Sequence, residues 1–226
     1  MSLVHTVDCS TLVPQATFKK AYDQGFRKAI IRGYREACSV GGAVDPNFVQ
    51  SYENARAAGF TNIDTYWFPC TGSGNDCKSP ETQLAELGEV FKANNMKIGR
   101  IWLDLERDQV YCNAWDYGHS DNLAHAKKIV QALKDSGYAY GIYSSPGEWS
   151  SLFGSYSAAV DSLAPLWFAT YNNVQTVTLG TKFGGCQQRG LANLEAMKAA
   201  GVGWDGHSSV LEAEMVREST CPIFWI

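Results

Sequence analysis

The sequence predicts an α/β fold: a small β/α barrel, parallel strands inside and helices outside. Two observations lead there. Short apolar runs alternate with amphipathic runs through roughly the first 170 residues, in the strand–helix–strand order of a parallel sheet. No GxGxxG or Walker loop stands at a strand end to favour the alternative, a doubly wound open sheet around a nucleotide.

In chain order, LVHTVD (3–8) reads as the first strand, and a helix follows from Pro14 to Asp23 with Phe18, Ala21 and Tyr22 on one face. KAIIRGY (28–34) is the second strand. Asp45-Pro46 is a helix start, a cap followed by Pro in the first turn. Phe48, Tyr52 and Ala55 then recur at helical spacing until Gly59 ends the run. NIDTYWF (62–68) is a strand, and Pro80–Asn95 is a helix striped by Leu84, Leu87, Val90 and Phe91. KIGRIWLDLE (97–106) is a strand. Residues 120–135 are the clearest helix, with Leu123, Ala126, Ile129, Val130 and Leu133 on one side. YAYGIYSS (138–145) and PLWFATY (165–171) complete the strands. The last forty residues or so change character: 191–200 and 209–218 read as helices, and little but the final CPIFWI reads as a strand.

Length and composition bound the function. The 226 residues show no internal repeat or linker, so a single domain over 1–226 is expected. A net charge of -4 without a basic stripe speaks against nucleic acid. No apolar run approaches the length of a membrane span. Seven cysteines, at 9, 38, 70, 77, 112, 186 and 221, are many for a cytosolic enzyme, and Cys70 and Cys77 bracket a TGSGND loop that could close as a disulfide ring. The odd count leaves one thiol unpaired or intermolecular. Four scattered His and no C-x-x-C give no metal spacing, so no metal and no cofactor are expected. His125 reads as a solvated helix residue, and Cys9 as a buried thiol on the face opposite Asp8. The N-terminus MSLVHTVDCS has neither a basic nor an apolar leader region.

The chemistry concentrates in Ile101-Trp102-Leu103-Asp104-Leu105-Glu106. Side chains alternate faces along a strand, so Asp104 and Glu106 share one, about 7 Å apart along the backbone. Strand C-termini form the active face of parallel β/α proteins. Two acids there repel, which raises the pKa of one. That one can stay protonated and donate to a leaving oxygen, while the other stays charged and stabilises a cationic transition state. A D-x-E pair alone reads as well as the polar end of a strand. Asp8, Asp64, Tyr66, Tyr143 and Tyr171 also fall at predicted strand ends, and such convergence favours a site.

VDCS (7–10), IIRGY (30–34), DTYWFP (64–69), IWLDLE (101–106), GIYSSPGEW (141–149) and LWFATYN (166–172) together resemble the lysozymes of glycoside hydrolase family 25, most of all the branch found in amoebae and nematodes. Order and spacing fit over residues 4–185. The resemblance implies an incomplete, flattened β/α (TIM-like) barrel that cuts the β-1,4 bond between N-acetylmuramic acid and N-acetylglucosamine in bacterial peptidoglycan. By resemblance Glu106 is the general acid, Asp104 orients or stabilises the substrate's own N-acetyl group as it attacks the anomeric carbon, and Asp8 holds the charge balance of the cleft. Tyr66, Trp67, Tyr143, Trp167 and Tyr171 match family aromatics of the cleft wall; on its residues alone, Trp167 reads equally as wall or core. Asp64 joins the substrate-binding set. A monomer, secreted or held in a lysosome-like vesicle, is the accompanying expectation.

The chain departs from that pattern at 186–226. The family's closing Q-Y pair and final Asp do not follow Gly184-Gly185, and Asp205 is the one Asp after position 161. The closing strand and its acid are therefore expected to be missing. This opens a second reading, a glycan-binding protein that keeps the cleft without turnover. A chitinase-like barrel is disfavoured, because its D-x-D-x-E would place Asp at position 102, where Trp102 stands.

Overall fold

The computed structural model describes residues 4–108 and 112–169, together with the backbone of 191–192 and 212–215. Six parallel strands form its centre: β1 (His5–Cys9), β2 (Phe26–Arg35), β4 (Asn62–Trp67), β5 (Ile101–Asp104), β6 (Tyr140–Ser144) and β7 (Leu166–Phe168). They lie in the order β7-β6-β5-β4-β2-β1, and β3 (Ala43–Val44) pairs antiparallel with the end of β2. Each crossover carries a helix where the sequence places one: α1 (Gln15–Asp23), α2 (Phe48–Ala58), α3 (Pro80–Ala93) and α4 (His119–Ser136). A fifth helix, α5 (Pro146–Phe153), was not anticipated. The sheet curls into an incomplete barrel, in keeping with the expected fold class.

Helix ends follow local chemistry. Ser79 accepts from the Thr82 amide at 3.2 Å, with Pro80 in the first turn of α3. Gly59 ends α2 at φ 111°, a conformation that costs glycine little. Asp45 does not cap α2 directly. The cap position is Asn47; Asp45 instead accepts from the Asn47 amide at 2.8 Å and turns its other oxygen to Arg32.

Strand parity divides the side chains between two environments. Val7, Cys9, Ile31, Ile63, Leu103 and Leu105 face the helices and form the main core with Phe18, Phe48, Leu87, Ile129 and Trp149. Ile30, Trp102 and Trp167 face the barrel interior in a smaller cluster edged by Tyr66 and Tyr143. β5 is shorter at both ends than the expected 97–106.

The C-terminal expectation needs correction in its backbone. Leu191–Ala192 (β8) and Glu212–Met215 (β9) are strands, not helices, and β9 runs antiparallel along β1. The stretch LEAEM alternates apolar and charged residues, so its two-residue period competes with the helical one. The unpaired backbone groups of the β1 edge decide between them. The expected loss of the closing strand is corrected as well, because β9 covers the β1 edge; CPIFWI and Asp205 lie outside the described residues.

Cys70–Cys77 is bonded as anticipated, and Cys38–Cys112 joins the loops after β2 and β5. Cys9 is a buried free thiol whose pKa is pushed up, by burial first and by Asp8 next. His125 is not solvated: it is half-buried, 4.9 Å from the Tyr117 ring and 5.7 Å from Trp115. No described helix is long and apolar enough to cross a membrane.

Candidate active site

β5 delivers the acids by alternation. Trp102 points into the barrel and Leu103 to the helices; Asp104, the last residue of the strand, points in again. Leu105 is fully buried on the helix side, which leaves Glu106 on the Asp104 side at the C-terminal rim. Asp8 on β1 has the same parity, between Val7 and Cys9 of the main core. Tyr66 lies level with Arg32 of β2, and Tyr143 level with Asp104. The structure thus brings Asp8, Tyr66, Asp104, Glu106 and Tyr143 together on one face of the sheet.

Trp167 belongs to this face and not to the outer core. Its ring centroid stands 4.5 Å from Tyr143, 5.9 Å from Trp102 and 6.5 Å from Tyr66, each edge-on. Its buried indole Nε1 and the buried Oδ1 of Asp104 have no hydrogen-bond partner among the described residues. A donor and an acceptor are therefore available to a ligand.

Two expected substrate residues sit elsewhere. Trp67 has the opposite parity to Tyr66. It is fully buried against α3 and donates its indole N–H to Gln83 at 3.2 Å, so it is core. Asp64 faces inward but lies three residues before the end of β4, below the rim. It is 1 % exposed, pairs with Lys28 at 2.5 Å and accepts from the Trp102 indole at 2.9 Å. Its carboxylate is spent on the barrel floor. Tyr171 lies outside the described residues.

Sequence reasoning missed three groups. Arg32, inward on β2, pairs through Nε with buried Asp45 at 2.6 Å; an Arg inside an apolar strand is a signal in itself, because it needs a partner. Glu148, in the first turn of α5, accepts from the Arg107 amide at 3.0 Å. Ser144 donates its hydroxyl to the Leu105 carbonyl at 2.7 Å. The S-x-x-E capping pattern at Ser145–Glu148 was the available sign of α5: the Ser145 hydroxyl accepts from the Glu148 amide at 3.1 Å.

The electrostatics centre on Asp104. Burial pushes its carboxyl well above the usual carboxylate range, and the Glu106 charge pushes the same way. Arg32 opposes this, while Asp8 and Glu148 add to it. Burial likewise keeps Tyr66 a neutral phenol, against the pull of Arg32. Burial, with the Glu106 charge beside it, therefore favours the protonated form of Asp104. Among the described residues no cluster of three His, Cys, Asp or Glu is placed to hold a metal ion.

Comparison with known proteins agrees with this architecture. A family model described as Lysozyme-like protein 1 matches residues 1–183. A relative in Dictyostelium discoideum, "Probable GH family 25 lysozyme 4", is 34% identical over 200 residues, covering 88% of this chain and 87% of its own. "Lysozyme-like protein 5" of Caenorhabditis elegans is 34% identical over 79% of this chain and 78% of its own. Among solved structures, a muramidase from Trichobolus zukalii superposes with a TM-score of 0.62 at 18% identity, over 96% of this chain and 95% of that one. The Clostridium perfringens spore cortex lytic enzyme SleM gives 0.70 at 14% identity, over 98% and 69%. At those identities the likeness is one of fold.

Proposed function

Because this chain belongs to the glycoside hydrolase family 25 lysozymes, we propose that it is a muramidase that hydrolyses the β-1,4 bond between N-acetylmuramic acid and N-acetylglucosamine in peptidoglycan. The observation that carries the reading is the pair Asp104–Glu106 at the C-terminal end of β5, with Asp104 the buried member. Peptidoglycan fits the unpartnered groups of the cleft. The acetamido group of each sugar offers one N–H and one C=O, and the site offers the Asp104 oxygen as acceptor and the Trp167 indole as donor. Tyr66 and Tyr143 supply flat apolar surface for pyranose faces.

A proton passed between Asp104 and Glu106 gives the order of events. Before substrate binds, burial favours protonated Asp104. An acetamido N–H that donates to Asp104 favours its charged form. Substrate arrival therefore moves the proton to Glu106, the more exposed partner at the rim, which gives it to the leaving glycosidic oxygen. The charged Asp104 holds the acetamido group while its carbonyl oxygen attacks the anomeric carbon, a substrate-assisted route. Asp8 and Arg32 set the surrounding charge.

The test compares clearing of a bacterial cell-wall suspension by the protein and by Glu106→Gln. A fall of about 10²–10⁴-fold in the variant is expected for loss of a general acid. Equal rates would remove Glu106 from the mechanism. No clearing by the folded parent, with retained binding to peptidoglycan, would favour a glycan-binding protein.

A further inference from the structure

Glu106 sits just beyond the β5–β6 ladder, which ends at Asp104 opposite Tyr143. A residue past the last ladder bond ordinarily has two loose peptide planes, and its side chain wanders with them. Here both planes are held, and by one short stretch of sequence. The peptide before Glu106 is fixed at its carbonyl, where Ser144 Oγ donates to Leu105 O at 2.7 Å. The Leu105 amide donates to Tyr143 O at 2.9 Å. The peptide after Glu106 is fixed at its amide, where Arg107 N donates to Glu148 Oε2 at 3.0 Å. Glu148 is itself seated: Ser145 Oγ accepts from its amide at 3.1 Å, and Ser145 O accepts from the Trp149 amide at 2.9 Å. Trp149, one residue on, is 1 % exposed and locks α5 into the core.

From this geometry we infer that Ser144 and Glu148 are positioning residues for Glu106, fixing the two peptide planes that flank it and so aiming its carboxyl into the cleft. The inference rests on the reading of Glu106 as the acid. Planar peptides leave a residue only φ and ψ, and pinning both neighbouring planes removes both freedoms. Proton transfer to a leaving oxygen demands hydrogen-bond geometry, which a loosened peptide would lose. Substrate contacts made by other residues would be untouched. The effect therefore belongs in kcat.

The experiment measures kcat and KM on a soluble peptidoglycan fragment for the parent, Glu106→Gln, Glu148→Ala, Glu148→Gln and the double variant Glu106→Gln/Glu148→Ala. Glu148→Ala is expected to lower kcat by about 10–100-fold with KM within about twofold. Glu148→Gln keeps an acceptor oxygen for Arg107 N and is expected to recover most of that loss. In the Glu106→Gln background, Glu148→Ala is expected to cost nothing further, because residues that act through one another are not additive. A loss that repeats undiminished in that background marks general structural damage and overturns the inference; so does Glu148→Ala at parental kcat. Should Glu148→Ala not fold, Ser144→Ala decides on the same terms: kcat falls and KM holds, or the inference is lost. A parent no faster than Glu106→Gln overturns the reading of the acid, and the cradle's role with it.

Discussion

A carboxyl buried as Asp104 is carries a stability cost that depends on pH. Its folded pKa is raised, by burial first and by Glu106 next, above the unfolded value of about 3.9. Below that value both states hold the proton and nothing is lost. As pH rises the unfolded chain ionises first, so stability falls until the pH passes the folded pKa. Asp104→Asn cannot ionise. It is expected to melt at a higher temperature than the parent at pH 7 and at the same temperature near pH 3, while clearing of cell walls is lost. Equal melting at both pH values would mean that folding does not raise the pKa of Asp104. Arg32 works in the other direction. Asp45, its partner, is almost fully buried, and Arg32→Met would leave that carboxylate unpaired. The expected cost is about 3 kcal/mol in denaturant unfolding, the low end for a buried pair because Arg32 keeps some solvent contact. At this scale the site was legible wherever parity alone decides, as for Asp8, Asp104, Glu106 and Tyr143. It was illegible where a partner from another element decides. Nothing near Asp64 in the chain says that Lys28 will claim it, and Trp67 next to Tyr66 is excluded from the cleft only once the parity of β4 is known.

Among the elements, β5 and β6 show how close backbone approach shapes the cleft floor. A Cβ built on Gly141 of β6 would lie 2.3 Å and 2.6 Å from atoms of the Trp102 ring. The glycine leaves room for that ring to lie across the sheet and donate to Asp64. Gly141→Ala is expected to push the indole aside and cost about 1–3 kcal/mol, the range for overpacking. A drop in the denaturant midpoint at unchanged m-value checks it, and an unchanged midpoint would show that the ring has space to yield. Long elements were readable because their stripes are long: the α4 stripe from Ala126 to Leu133 is buried as its period requires. α5 has only two turns in which to bury Trp149, Leu152 and Phe153, too few for a period to stand out. β9 was misread because its pattern admits both periods and the open edge of β1 settled the matter, and the two-residue β8 pairs in turn with β9.

On the scale of the molecule, three loops at the C-terminal end of the sheet are fastened into one wall. The loop after β2 carries Cys38 and the loop after β5 carries Cys112, while Cys70 and Cys77 close the loop after β4 on itself. Hydrogen bonds join the second and third: the Thr71 amide to Cys112 O at 2.7 Å, the Ser73 amide to Asp116 Oδ1 at 2.6 Å and the Gly72 amide to the Tyr117 hydroxyl at 2.8 Å. The two disulfides should not contribute equally. A crosslink restricts the unfolded chain more as its loop lengthens, and the loops here span 74 and 7 residues of sequence separation. Chain entropy then gives about 4.5 kcal/mol for Cys38–Cys112 and about 2.5 kcal/mol for Cys70–Cys77. Paired Cys→Ser variants, unfolded in denaturant one disulfide at a time, should differ by about 2 kcal/mol, with loss of Cys38–Cys112 the more damaging. The opposite order would place the stabilisation in the folded wall, through the contacts that Cys70–Cys77 holds in place. In that case wall clearing, and not only the unfolding midpoint, should fall most when the short ring is opened.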